Sequence, residues 1–164
     1  MMKFNEAYPD GFLISLLREP VGWYASVKQR SINAPRKQQQ VYAEGIRIYG
    51  GFDEAERGYV ENADSILRNR QLLGNRLILI DYSTLVKKTE PVMRHLGERL
   101  GITFSDILLR PTFNRMPVLA NTSFAGETSG SRLSVLDEED LTRIPDGVMM
   151  ARYQELASLC VGED

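Results

Sequence analysis

Two short apolar runs constrain this chain more than any other feature: Phe12-Leu13-Ile14-Ser15-Leu16-Leu17 and Arg76-Leu77-Ile78-Leu79-Ile80-Asp81. The first is introduced by the turn-like Tyr8-Pro9-Asp10-Gly11, and the second follows the helix stop Gly74-Asn75. A nearly continuous apolar run suits a strand buried on both faces of a parallel sheet. Parallel neighbours need a long crossover, and the sequence between the runs is mostly helical in pattern. The expectation is therefore α/β. Two strands make an incomplete sheet, since sheets usually have about four to six.

The helices can be placed from their ends. Pro20 stands in the favoured first turn of a helix running to about Ser31. The polar stretch Asn33-Ala34-Pro35-Arg36-Lys37-Gln38-Gln39-Gln40 then interrupts the pattern. Asp53 with Glu56 reads as a capping box opening a helix through about Leu73, with Tyr59, Ala63, Ile66 and Leu67 on its apolar face. After the second strand, Thr89 is expected to cap a helix that Gly101 ends, with Val92, Leu96 and Leu100 in one stripe. Residues 109–134, rich in proline, glycine, serine and threonine, read as a long ordered loop, a feature more often functional or disordered than idle. Two short helices, near residues 135–144 and 146–160, close the chain.

With 164 residues the chain is expected to form one domain, burying roughly 70% of its unfolded surface. The 20 basic and 22 acidic side chains leave a net charge of −2, which gives no push towards non-specific nucleic-acid binding. Cys160 is the only cysteine, so no intrachain disulfide exists and a reducing compartment is expected. The N-terminus has neither the apolar core nor the cleavage site of a secretory signal, and no run is long enough to span a bilayer. These features read as cytoplasmic, with no nucleic acid and no membrane among the partners.

Chemistry concentrates after the first strand. Ligands of open parallel sheets bind beyond the carboxyl ends of the strands, where helix N-termini offer unpaired N–H groups. Arg18 stands there, with a charged planar fork suited to phosphate oxygens, and Ser26 would add a hydroxyl donor from the following helix. Spacing alone leaves another reading open, in which Arg18 pairs with Glu19 and Ser26 bonds its own helix.

The stretch Leu17-Arg18-Glu19-Pro20 … Ser26 resembles the second cofactor signature of sulfotransferases that use 3′-phosphoadenosine 5′-phosphosulfate (PAPS). In that family a strand-end arginine and a serine eight positions later grip the 3′-phosphate, the spacing of Arg18 and Ser26. Ile80-Asp81-Tyr82-Ser83-Thr84-Leu85-Val86, with Glu90-Pro91-Val92-Met93-Arg94-His95-Leu96 and Leu100-Gly101-Ile102, is similar to the family's tyrosine–acid–leucine strand end and following helix. Arg110-Pro111-Thr112-Phe113-Asn114 and Asn121-Thr122-Ser123-Phe124 look like the proline–threonine and asparagine–serine motifs of many bacterial members. The resemblance covers residues 8–160 and implies a P-loop-NTPase-like parallel sheet with flanking helices, here incomplete and helix-rich. It implies PAPS, or its desulfonated product 3′-phosphoadenosine 5′-phosphate (PAP), as cofactor. Arg18, Ser26 and, in the glycine-rich loop Gly126-Glu127-Thr128-Ser129-Gly130-Ser131-Arg132, Arg132 are the cofactor-binding residues implied.

The departures are specific. No glycine-rich loop with a lysine precedes the first strand, so the chain is expected to correspond to the C-terminal part of a sulfotransferase domain. Ser83-Thr84 replace a frequent acidic pair, and Glu127 opposes phosphate. His95, the sole histidine, falls off the apolar stripe of its helix towards solvent and reads as a surface residue rather than a general base. No catalytic residue and no metal-ligand spacing is identified. Arg36-Lys37 read as a solvated pair, Trp23 and Tyr24 as core, and Cys160 as unreactive.

The expected function is that of a sulfotransferase-like chain, keeping the 3′-phosphate half of its nucleotide site. Completed by an N-terminal half, it would transfer sulfonate to a hydroxyl or amine by in-line displacement, with fixed donors stabilising the moving charge. The alternative is a non-catalytic homologue that binds nucleotide or a protein, pairing its open sheet edge with a companion chain or another copy. Kinase-like triphosphate binding ranks last, because no triphosphate loop is visible.

Overall fold

A computed structural model of the chain describes residues 2–33, 51–110, 112–113, 116–117 and 133–161. In order these form α1 (Met2–Ala7), β1 (Leu13–Leu17), α2 (Pro20–Asn33), α3 (Phe52–Leu73), β2 (Leu77–Asp81), α4 (Tyr82–Lys87) and α5 (Thr89–Leu100). A two-residue ladder, β3 (Thr112–Phe113) with β4 (Met116–Pro117), follows, then α6 (Glu138–Arg143) and α7 (Val148–Ala157). The result is a helix-rich α/β fold around a small parallel sheet. None of its helices among the described residues is long and apolar enough to cross a membrane.

β1 and β2 pair in parallel, from Leu13 opposite Leu77 to Leu17 opposite Asp81. Registered partners share a face, so Leu17 and Leu79 point one way while Ile14, Leu16, Ile78 and Ile80 point the other. The first face packs on α3 and α7 through Ala63 and Leu156. On the second, α5 covers only β2, where Ile78 and Ile80 meet Val92 and Leu96.

This corrects the expectation that both apolar runs are buried on both faces. All five residues of β2 are buried, but Ile14 and Leu16 are 44% and 57% exposed. The reason is coverage rather than composition, because α5 returns over its own strand and no described helix packs on the Ile14 and Leu16 face of β1. The far edge of β2 is closed by Val161, whose N–H donates to the Leu79 carbonyl at 2.9 Å. No described strand pairs with the far edge of β1.

A second core forms between α2, α3 and α7, where Tyr24, Ala25, Ala55, Tyr59, Ile144 and Met149 interlock. The α3 face expected from sequence is present, with Ile66 and Leu67 packed beside Ala63. Gly74 and Gly101 end α3 and α5 at φ 55° and 67°, a region that costs glycine little. Two caps differ from expectation. Phe52 packs edge-on to Tyr24 at 5.1 Å and is the first residue of α3. Gly51 is then the cap, and Asp53 sits in the first turn, paired with Arg143 at 2.7 Å. Thr89 lies inside α5 because α4 runs almost directly into it; its hydroxyl donates to the Leu85 carbonyl at 2.8 Å.

The closing helices are shorter than expected. Asp137 caps α6 in a reciprocal capping box with Asp140, and Lys28 from α2 donates to both carboxylates. The bonds from Asp137 and Asp140 hold the Lys28 ammonium above its ordinary 10.5, and the Lys28 bond holds the Asp137 carboxyl below its ordinary 3.8. A raised lysine stabilises fully below its unfolded value and loses that effect as pH rises through the folded one; a depressed aspartate does so above its unfolded value and loses it on acidification. The cluster therefore stabilises fully between these ordinary values. We expect Lys28→Met to lower the melting temperature at pH 7 by about 2–6 °C, equivalent to roughly 1–2 kcal/mol at this length. Thermal melts of the two proteins should differ by a constant amount at neutral pH and draw together only as the pH falls below 3.8 towards the depressed Asp137 value.

Candidate functional site

The carboxyl ends of β1 and β2 open into a cavity of about 280 Å³ lined by Arg18, Glu19, Val21, Gly22, Tyr82, Ser83, Lys87 and Leu133. Its position follows from the parallel pairing, which sends α2 and α4 away from the same end of the sheet.

Arg18 is the first residue after β1. Its guanidinium lies over the Tyr82 ring at 5.0 Å, a cation–π contact that holds the side chain against the start of α4. Its carbonyl accepts a 2.8 Å hydrogen bond from the Tyr59 hydroxyl of α3. The end of β2 is pinned in a parallel way. Buried Asp81 accepts from the Thr84 N–H at 2.8 Å, capping α4, and from the Tyr153 hydroxyl of α7 at 3.0 Å. Burial pushes the Tyr59 and Tyr153 phenols up, and the Asp81 charge pushes Tyr153 further. Both keep their proton across the neutral range and remain donors, so helices on one layer fix both strand ends.

Glu19 changes the chemistry expected at α2. Its carboxylate accepts from the Val21 N–H at 2.9 Å and from the Gly22 N–H. The chain thus supplies its own anion to the first turn of α2, where the sequence suggested an opening for a phosphate. Gly22 makes room for this: a Cβ there would stand 2.7 Å from Glu19 Oε1 and 3.5 Å from Arg18 Nη2.

Of the three residues expected to hold a cofactor, Arg18 lines the cavity. Ser26 does not; it is half-buried one turn deeper in α2, and its hydroxyl donates to the Gly22 carbonyl at 3.0 Å. Arg132 lies outside the described residues, as do Arg36, Lys37 and most of residues 109–134; Leu133 reaches the cavity wall. Trp23 packs edge-on to Tyr59 at 5.0 Å, and Tyr24 is core. His95 is not the solvent-facing residue that the stripe suggested. It is half-buried, and its Nε2 is buried without a hydrogen-bond partner among the described residues. Cys160 packs beside Leu156. No group of acidic, histidine or cysteine side chains among the described residues could hold a metal ion.

Sequence reasoning missed Lys87, a second cation in the cavity, and the use of Ser83 on the same wall. Their four-residue spacing places both on one face of α4 and was the available signal. No family model, curated protein or solved structure matches the chain.

Proposed function

We propose that this chain is a PAPS-dependent sulfotransferase-like protein with a P-loop-NTPase-like fold. It retains the 3′-phosphate half of the nucleotide site and works in the cytoplasm. The observation that carries this reading is the cavity at the carboxyl ends of the parallel strands, with Arg18 at its wall directly after β1. Arg18 and Lys87 set two positive charges against the single carboxylate of Glu19, which suits a phosphate monoester. The volume fits the phosphate-bearing end of the nucleotide rather than the whole of it. When bound, PAPS supplies an activated sulfonate group. This chain's share of the work is to grip and orient the far end, with Arg18 in the role the resemblance gives it; Ser26, bonded to the Gly22 carbonyl outside the cavity, supports the first turns of α2 instead. If the chain is completed by an N-terminal half, that half would supply the loop for the 5′-phosphosulfate and the general base and help to shape the hydroxyl or amine acceptor site.

Calorimetric titration with PAP tests the reading. Wild type should bind, and Arg18→Ala should weaken binding about 10–100-fold, as expected for a charge-assisted hydrogen bond of about 1.5–3 kcal/mol. Circular dichroism should be unchanged. Equal binding by both proteins would remove Arg18 from the site.

The exposed Ile14 and Leu16, beside an edge that no described strand fills, favour a second reading: a non-catalytic interaction module. Folded wild type that ignores PAP yet sediments with increasing mass as its concentration rises would support that reading over the first.

A further inference from the structure

We propose that Lys87 is the second cation of the phosphate site and sets its preference for a doubly charged phosphate monoester. The proposal rests on the nucleotide reading above. Glu19 takes the first free N–H groups of α2, so a phosphate in the cavity is held by side chains and not by the helix N-terminus. With Arg18 alone, the cavity would carry one positive charge against the negative charge of Glu19 and would have no net attraction for a dianion. Lys87 changes that balance.

It is the last residue of α4, with Ser83 one turn before it on the same helix face, and both line the cavity. That wall is well held. Asp81 caps α4, Tyr153 holds Asp81, and the Tyr82 ring lies against the Arg18 guanidinium. The two cations thus come from separate elements and line one cavity. Ser83 offers a hydroxyl donor to the same oxygens. A lysine is a compact point charge on a flexible stem, so it closes on the anion without demanding the planar geometry that Arg18 imposes.

PAP titrations on the full chain test this. Lys87→Ala should weaken PAP about tenfold, whereas Lys87→Arg should stay within about threefold of wild type. The dependence of affinity on salt should flatten in Lys87→Ala and persist in Lys87→Arg, a change that a merely structural role would not produce. Because Lys87 is exposed, thermal melts of both variants should match wild type. If Arg18→Ala loses PAP while Lys87→Ala binds within twofold of wild type, the role of Lys87 is overturned and the nucleotide reading stands. If wild type itself fails to bind PAP, both fall.

Discussion

Ile80→Ala should destabilise the protein by roughly 2–5 kcal/mol, while Leu16→Ala, its registered partner across the sheet, should cost no more than about 0.5 kcal/mol. Both residues point to the same face, and both are large aliphatics. Ile80 is 1% exposed and locked among Ile78, Val92 and Leu96 beneath α5, so truncation leaves a cavity with little freedom to collapse. Leu16 already meets solvent over more than half its surface. Urea denaturation of the two variants reads the difference directly. Similar large losses would mean that something covers β1 in solution and that the asymmetric coverage of the sheet described above is wrong.

Asp81→Ala should be nearly as costly. It leaves the half-buried Tyr153 hydroxyl without its acceptor, at about 1–3 kcal/mol, and removes the cap of α4, at about 0.5–2 kcal/mol. Asp81→Asn keeps a side-chain oxygen for Thr84 and should retain most of the stability. The site should register the same change. With α4 frayed, Tyr82 no longer backs Arg18, and Lys87 loses its fixed wall. Near-UV circular dichroism should report the freed tyrosines in Asp81→Ala and stay close to wild type in Asp81→Asn. Identical melting for all three proteins would show that Asp81 is not the anchor of α4.

Much of the architecture was legible in the sequence because its signals are local. The apolar face of α3, the glycine stops at Gly74 and Gly101, the run of β2 and the proline start of α2 each follow from spacing or backbone preference within a few residues. The coverage of β1 was not legible. An apolar run reports that burial is affordable, not which helix supplies it, and α5 lies over β2 alone. Glu19 was read as a partner for Arg18 and not as a cap, because glutamate is not a usual cap; its longer side chain reaches the Val21 and Gly22 N–H groups where Gly22 leaves space. His95 was misplaced because one apolar stripe measures one contact face of α5, and the half-buried flank of that helix covers the His95 Nε2 as well. Arg18 was found from its place after a strand. Spacing could put Lys87 on one face of α4 with Ser83, but only the parallel pairing shows that this short helix, ending at Lys87, stands beside the start of α2.

The most direct test of the account compares PAP with adenosine 5′-monophosphate, which lacks the 3′-phosphate, by calorimetry on wild type and Arg18→Ala. Wild type should prefer PAP by about tenfold or more, and the preference should collapse in the variant while its circular dichroism is preserved. Equal affinity of folded wild type for the two nucleotides, or no binding of either, would contradict it.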